Sequence, residues 1–487
     1  MTRSMRITRE ILYWLVIAAL LTAGGFLLFT NLGEAAISDC DEARHGINAY
    51  EMWASGDYVV STFQGEPDYW NLKPPLTYWC IMLSYQLFGF SAFGMRFYSA
   101  LSMLLTMAVM AVWMKKRYGS LASIFCQLFW IACAMVYGPH FARFGDADAQ
   151  MLLFYVIAML CMLESPKNLK WLYGSAVCFG LAFMSKSWHA ALIPVTCFVF
   201  VCVTGMIRKL RLKHYLLLIF FGLLPIMPWA VARYMRDGMK FFELSLTVDV
   251  GARATTVHEW HYGGPLYYVE YLFSDPACVL AMAMCAAALL WKGCLRSRLT
   301  TDETGIALWF LVPLVLYSVC VSKLAWYIFV SLPALAIGGG MLIKKLARRG
   351  KLFIPRSTLA AVLCALLVFW GVGNWEMVSN VRNEDSYQVL LGDYFDRDFD
   401  SGTKVYIQYE SENDYSEIDY RAWVQDDMLY AMLCGDLDCQ YGGSEAFMEE
   451  EDHAYLLCHD IGINSTLFEE FPIVTEEGRV TLFENLN

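Results

Sequence analysis

The chain has 487 residues, 58% of them hydrophobic and only 17% charged, with a mean hydropathy of +0.43. That balance excludes an ordinary soluble globule and a disordered chain and points to an integral membrane protein. The net charge of −11 is unevenly spread: from Asn374 onward 27 acidic residues stand against 5 basic ones, so the first 373 residues are net basic. Opposite signs imply different surroundings, and the chain divides into a membrane domain, 1–373, and an acidic domain, 374–487.

Taken in order, apolar runs of spanning length fall near 11–30, 97–114, 120–137, 149–163, 171–184, 190–207, 215–232, 277–291, 305–321, 325–343 and 357–373. The first lacks a small-residue cleavage site and is expected to stay as a span rather than be removed as a signal. About eleven transmembrane helices follow from this count, and Lys and Arg test it through the positive-inside rule. They fall on alternate loops: Arg3, Arg6 and Arg9; Lys115, Lys116 and Arg117; Lys167 and Lys170; Arg208, Lys209, Arg211 and Lys213; Lys292, Arg296 and Arg298; and the run Lys344 to Arg356. This places the N-terminus in the cytoplasm and the acidic domain outside.

The outer face then collects the remaining polar residues. The first outer loop, 31–96, is too long for a connector, and loops of that length are usually functional. It carries Asp39, Asp41 and Glu42, a Lys73-Pro74-Pro75 turn and Arg96. Residues 42–54 and the stretch from Pro75 onward read as helices lying along the interface rather than crossing it. A second outer loop carries His140, Arg143, Asp146 and Asp148. Lys186, Trp188 and His189 lie between the fifth and sixth helices. The loop from Arg233 to Pro276 brings His258 and His261, and Lys323 precedes Tyr327 at the tenth helix. Asp146 and Asp148 serve either as helix caps or as functional carboxylates. Lys186 and Lys323 either snorkel to the interface or point at a site. Their convergence on one face favours chemistry there.

The sixteen cysteines lie mostly inside apolar runs as small hydrophobes. In an outer compartment Cys434, Cys439 and Cys458 could pair, Cys434 with Cys439 first. The acidic domain reads as mixed α/β: 404–410, 453–460 and 479–486 as strands, 425–435 and 442–454 as helices. Asn464-Ser465-Thr466 matches a glycosylation sequon, and the acidic run 393–400 reads as a solvated surface.

Asp41-Glu42, Gly56-Asp57-Tyr58, KPPLTYW at 73–79 and LFGFSAFGMRFYSAL at 87–101 resemble a known family of membrane glycosyltransferases. It contains the aminoarabinose transferases of lipid A modification and the protein O-mannosyltransferases. Asp146, Asp148, Lys186, Pro228-Trp229, HEWHYGGPLYY at 258–268 and SKLAWYIFVSLPAL at 322–335 continue the likeness. Two positions depart from it: Ala325 stands where the family's SKL segment has proline, and Leu72 where the aminoarabinose transferases tend to have an acid.

The resemblance implies a GT-C fold and inverting transfer of a sugar from a polyprenyl-phosphate donor to a lipid, glycan or protein acceptor. The reaction would take place at the outer face of the cell inner membrane, in a monomer that uses no nucleic acid. The acceptor hydroxyl needs a carboxylate to take its proton, and Asp41 is the first candidate, with Glu42 and Asp148 behind it. Lys73, Arg96, Lys186 and Lys323 are the candidates for the donor phosphate. Asp146, Tyr327, His258 and His261 are candidates for substrate contacts. Asp41, Asp146 and Asp148 together could hold a divalent cation. A transporter or flippase for lipid-linked glycans or anions is the competing class, and a ligase joining lipid-linked glycans is a second.

Overall fold

The computed structural model describes residues 3–38, 41–252, 262–347, 355–395, 402–408, 425–435, 437–440, 442–459, 465–477 and 480–486. Helix dominates the membrane domain. Among the described residues seven helical stretches are long and apolar enough to cross a membrane, eight if the bent pair Leu212–Leu223 and Met227–Asp237 (α9, α10) is one span. Pro225 lies in the break of that pair, where the two halves meet at 59°. The protein is therefore a multi-pass membrane protein.

The apolar stretch Lys170–Val203 is not one straight rod. Ser187 between Lys170–Lys186 (α7) and Leu192–Val203 (α8) takes φ 50° and ψ −135°. Ser175 and Cys197 are hydrogen-bonded at 3.3 Å although 22 residues apart. At about 1.5 Å of rise per residue a straight helix would hold them roughly 33 Å apart. The stretch is a hairpin, with Lys186 at its tip.

The first outer loop follows Arg3–Phe29 (α1). Asp41–Ser55 (α2) and Leu76–Phe88 (α3) are helices packed on each other. Pro75 stands just before α3, where its missing N–H costs nothing. Between them Thr62–Phe63 (β1) and Glu66–Pro67 (β2) pair in a hairpin. Its turn residues Gln64 and Gly65 both have positive φ, 54° and 76°, the twist that a two-residue turn requires. Ala92–Arg117 (α4) follows, started by Ser91, whose hydroxyl accepts from the Gly94 N–H. Then come Ser120–Ala132 (α5) and Asp148–Glu164 (α6). Pro276–Cys294, Thr301–Val319, Leu332–Leu346 and Arg356–Ser379 complete the bundle. The last of these runs past Asn374, whose amide donates to the Ile131 carbonyl at 2.9 Å.

In the acidic domain five strands form one sheet in the order β4-β3-β5-β7-β6: Lys404–Gln408 (β3), Asp438–Gln440 (β4), Ala454–His459 (β5), Ile473–Glu477 (β6) and Val480–Asn485 (β7). β3 is parallel to β4 and β5, and the β5–β7 and β6–β7 pairs are antiparallel. Alternate residues serve two cores, as the period of two dictates. Tyr406, Leu456 and Phe483 pack with Phe447 and Leu467. Val405, Ile407, Tyr455, Leu457 and Leu482 face the membrane domain and share one core with Ile47, Met52, Tyr78, Ile81 and Met95.

Contact there is close. A Cβ on Gly46 of α2 would lie 2.5 Å from Leu429 and 2.7 Å from Met95. The buried Gln388 closes the seam: its Oε1 accepts from the Ile37 N–H at 2.8 Å and its Nε2 donates to the Ile37 carbonyl at 2.9 Å. The expected Cys434–Cys439 disulfide is absent. Neither of these two cysteines, nor Cys458, is joined in a disulfide. Cys439 turns into the shared core and Cys458 into the opposite one, away from each other. Asn464 of the sequon and most of the acidic run 393–400 lie outside the described residues.

Candidate active site

Asp41 is the first residue of α2, and its carboxylate accepts from Lys73 Nζ at 2.7 Å. The two side chains keep 27% and 14% of their surface exposed, so a substrate can reach both. Lys73 is held in place by a second ion pair. Arg44, one turn along from Asp41, gives Nε and Nη2 to Asp68 at 2.7 and 3.0 Å, with its guanidinium 3.4 Å above the Phe63 ring. Asp68 also accepts from Asn48 and from the backbone N–H groups of Trp70 and Asn71. This pins the strap carrying Lys73 onto the helix carrying Asp41. Burial pushes the Asp41 carboxyl up, but Lys73, helped by His45 and Lys186, outweighs it and holds the group below the ordinary carboxylate range.

Glu42, the neighbouring acid, faces the other way and is fully buried against Arg96. A guanidinium has five N–H donors, and all five of Arg96 are engaged inside the protein. Two go to Glu42 at 2.8 and 2.9 Å, and three to the carbonyls of Leu32, Ala35 and Ala36. Glu42 accepts in addition from Ser38 N and Gly145 N. The expectation that Arg96 meets the donor phosphate and Glu42 the acceptor is therefore corrected. No donor of Arg96 is left over, and the pair ties the first loop to α4 and to the second loop.

The second loop completes the cluster. His140 takes φ 59°, uncommon for a residue with a Cβ. It stacks on Trp326 at 3.7 Å between ring centroids, and its Nδ1 lies 2.7 Å from Asp146. His45, one turn along α2 from Asp41, places its Nδ1 3.4 Å from the other Asp146 oxygen. Asp148 opens α6 and is ion-paired with Lys186 at the hairpin tip, both buried. Lys186 lies 5.7 Å from the Tyr327 ring, and His189 packs edge-on against Tyr327 at 4.5 Å. Arg143 donates to the carbonyls of Leu27, Leu28 and Asn31 and so caps the end of α1.

Lys323 is buried and gives its ammonium to the carbonyls of Ser318 and Cys320, at the end of Thr301–Val319. The structure thus gives it a cap to hold, beside Gly263, whose added Cβ would lie 3.1 Å from its side chain. His258 and His261 lie outside the described residues. Asp41, Asp146, Asp148, Lys73, Lys186 and Tyr327 are brought to one place; Glu42, Arg96 and Lys323 are turned to the scaffold.

The ligand set expected for a divalent cation changes with this geometry. Asp148 is drawn to Lys186, and Asp41, His140 and Asp146 are the three whose ligand atoms lie within 4.8 Å of one another. Arg44, His45 and Asp68 were not singled out by the sequence. The signal for the first two was their spacing, three and four residues after Asp41 on one helix face.

The His140–Asp146 pair predicts a pH dependence. Burial lowers the imidazole, but Asp146 outweighs it and raises His140 above its ordinary value. Burial raises the Asp146 carboxyl, and His140 and His45 bring it well below the carboxylate range. A raised histidine contributes stability that is full below about pH 6.5 and lost as pH rises through its folded value. A lowered aspartate contributes stability above about pH 3.9 and loses it only in stronger acid. The stability gap between wild type and His140→Gln, followed by thermal unfolding, is therefore expected to be widest between these limits and to narrow above neutrality. A gap constant from pH 5 to 9 would show that the stacking on Trp326, not the charge pair, is what the substitution removes.

The chain is similar to several known proteins. The family described as dolichyl-phosphate-mannose-protein mannosyltransferase matches residues 72–231, from the residue before Lys73 into the first half of α10. An undecaprenyl phosphate-alpha-4-amino-4-deoxy-L-arabinose arabinosyl transferase of Pseudomonas fluorescens is 30% identical over 345 residues, 65% of this chain and 58% of that protein. One from Pseudomonas paraeruginosa is 25% identical over 393 residues, covering 76% and 68%. The chain thus spans about three fifths to two thirds of the length of these curated relatives.

Among solved structures, ArnT from Cupriavidus metallidurans bound to undecaprenyl phosphate superposes with a TM-score of 0.72 at 18% identity, covering 97% of each chain. An oligosaccharyltransferase from Archaeoglobus fulgidus gives 0.53 at 12% identity, covering 86% of this chain and 64% of that one. The likeness to aminoarabinose and mannosyl transferases is present in the sequence, and the fold is shared with a GT-C enzyme over the whole length.

Proposed function

We propose that this chain is a membrane glycosyltransferase that moves a sugar, with inversion, from a polyprenyl-phosphate donor to an acceptor hydroxyl at the outer face of the cell inner membrane. The observation that carries the reading is the partly buried Asp41–Lys73 pair, pinned at the edge of a helical bundle and backed by Asp148–Lys186 and Tyr327. The relatives act on an aminoarabinose carried by undecaprenyl phosphate, and lipid A or another surface glycolipid is the acceptor class we favour. Eleven crossings, with the N-terminus in the cytoplasm and the acidic domain outside, fit the basic loops. The hairpin at Lys186 supplies two of these crossings, and α5 and α6 supply two shorter ones.

The pair suggests how the step is driven. Without donor, Lys73 holds Asp41 ionised and makes it a weak base. A donor phosphate competes for the Lys73 ammonium, and as that charge moves away the basicity of Asp41 rises. Asp41 then accepts the acceptor's hydroxyl proton while the acceptor oxygen bonds to the sugar's anomeric carbon. The bond from that carbon to the phosphate oxygen breaks, its electron pair leaving with the polyprenyl phosphate. Lys73 and Lys186 meet the charge that grows there. Leu72, next to Lys73, packs with Met184, Ile226, Trp229 and Phe241, an apolar wall along which the isoprenoid chain can run into the bilayer.

The test is donor consumption by the purified protein in nanodiscs, supplied with a panel of labelled polyprenyl-phosphate sugars and a membrane-lipid acceptor. One sugar of the panel is expected to be consumed, and inertness toward all of them would favour the transport class. Lysines and His140 already furnish positive charge at the site, so a chelator is expected to leave turnover intact. Loss of turnover on chelation, restored by Mg²⁺ or Mn²⁺, would instead put a cation on Asp41, His140 and Asp146.

A further inference from the structure

On the membrane-facing side α7, α8 and α9 enclose an apolar groove of about 420 Å³, with Phe179, Phe198, Tyr215 and Leu218 among its walls. Its far end is shut where α7 meets α9. A Cβ on Gly180 would lie 2.5 Å from the Gly222 carbonyl oxygen and 2.8 Å from Pro225. Its polar atoms are already satisfied, Ser175 and Cys197 bonding each other at 3.3 Å. The mouth lies at the opposite end from Lys186, where Ile207 and Leu210 line it. Arg208, Lys209, Arg211 and Lys213 surround these two in sequence, and all four are exposed. None of the four has an ion-pair partner among the described residues. Lys170, also exposed, opens α7 beside them. The acid nearest Lys170 in sequence, Glu164, is engaged by Lys167 and Trp113.

We propose that this groove is a binding site for an anionic phospholipid, with the headgroup phosphate on the Arg208–Lys213 cations and one acyl chain in the slot. The charges are complementary, and basic pockets between helices are suited to such headgroups. Depth favours the same occupant. From Tyr215 to Leu223 the wall runs about 12 Å at about 1.5 Å per residue, close to the roughly 15 Å of one hydrocarbon leaflet. A chain of the same leaflet fits, whereas a polyprenyl chain is too long to be taken whole. The site is independent of the catalytic reading, since it shares no residue with Asp41, Lys73 or Lys186.

The experiment uses the full-length protein, stripped of lipid in detergent, with phosphatidylglycerol or phosphatidylcholine of identical acyl chains. Retained lipid is counted by native mass spectrometry and unfolding temperature is followed in parallel. Phosphatidylglycerol is expected to be retained at one molecule per chain and to raise the unfolding temperature, with phosphatidylcholine at least tenfold weaker. Two variants are compared: Arg208→Gln, Lys209→Gln, Arg211→Gln and Lys213→Gln combined, and Ala176→Phe, which fills the groove and leaves every charge in place. Each is expected to lose the preference. Equal retention of the two lipids by wild type, or a preference unchanged in Ala176→Phe, overturns the site. The second variant decides the matter if the first does not fold. Retention lost in Ala176→Phe but kept in the charge variant also overturns it, reducing the groove to a nonspecific acyl slot.

Discussion

Asp41→Asn is expected to lower donor turnover by about 10²- to 10⁴-fold, the range over which a positioned base contributes to proton transfer, while leaving the protein folded. Asparagine keeps the shape and a hydrogen-bond acceptor for Lys73 but cannot take a proton. The substitution leaves the Lys73 ammonium a hydrogen-bond acceptor in the amide oxygen, and the 14% of its surface still exposed lets water serve the rest. The assay is single-turnover donor loss, read beside an unfolding curve. Full activity in a folded Asp41→Asn protein would move the base to Asp148 or Asp146, the other carboxylates of the cluster. Loss of activity together with loss of folding would say that Asp41 is structural, which its exposure argues against.

The adjacent substitution is expected to behave in the opposite way. Glu42→Gln leaves the Arg96 guanidinium fully buried without its counter-charge, and breaking a buried pair costs about 3–5 kcal/mol. Unfolding temperature and monodispersity should fall, with activity lost only as the folded fraction is lost. Arg96→Met should be at least as harmful, since it also orphans the carbonyls of Leu32, Ala35 and Ala36. The double variant should recover only in part, for those three acceptors remain without a donor. A Glu42→Gln protein that is stable and inactive would return Glu42 to the chemistry. Two neighbouring acids thus separate the site from its frame, one by rate and the other by stability.

Much of this arrangement could be read from the chain itself. The two helices of the first loop, α2 and α3, form where the sequence led us to expect them. Asp41 and Lys73 stood out as an acid and a base in a loop with no other reason for its length. Arg96 could not be judged in the same way. Whether a guanidinium faces substrate or protein depends on which carbonyls close around it, and those of Leu32, Ala35 and Ala36 carry no sequence signal. The carbonyls of Ser318 and Cys320 that Lys323 meets carry no sequence signal either.

In the acidic domain the three central strands were legible from VYI, YLLC and VTLF. The two missed, β4 and β6, are the edges of the sheet. Edge strands are short or charged, which guards against pairing with other chains, and DCQ and IVTEE accordingly look like loop.

The bond between Ile37 and Gln388 joins residues 351 apart in the chain, and this sets a schedule for biosynthesis. At about 5–20 residues per second, the ribosome reaches Gln388 roughly 20–70 s after Ile37 has emerged. Over that interval α2 and α3 are already translocated, with Ile47, Met52 and Tyr78 still waiting for the sheet that will cover them. Until the sheet is made, the first outer loop carries an uncovered apolar face. A premature stop anywhere before the last strand releases a protein whose Asp41 helix has lost part of its packing. The acidic domain, made after the membrane helices, supplies the cover for a loop made before most of them.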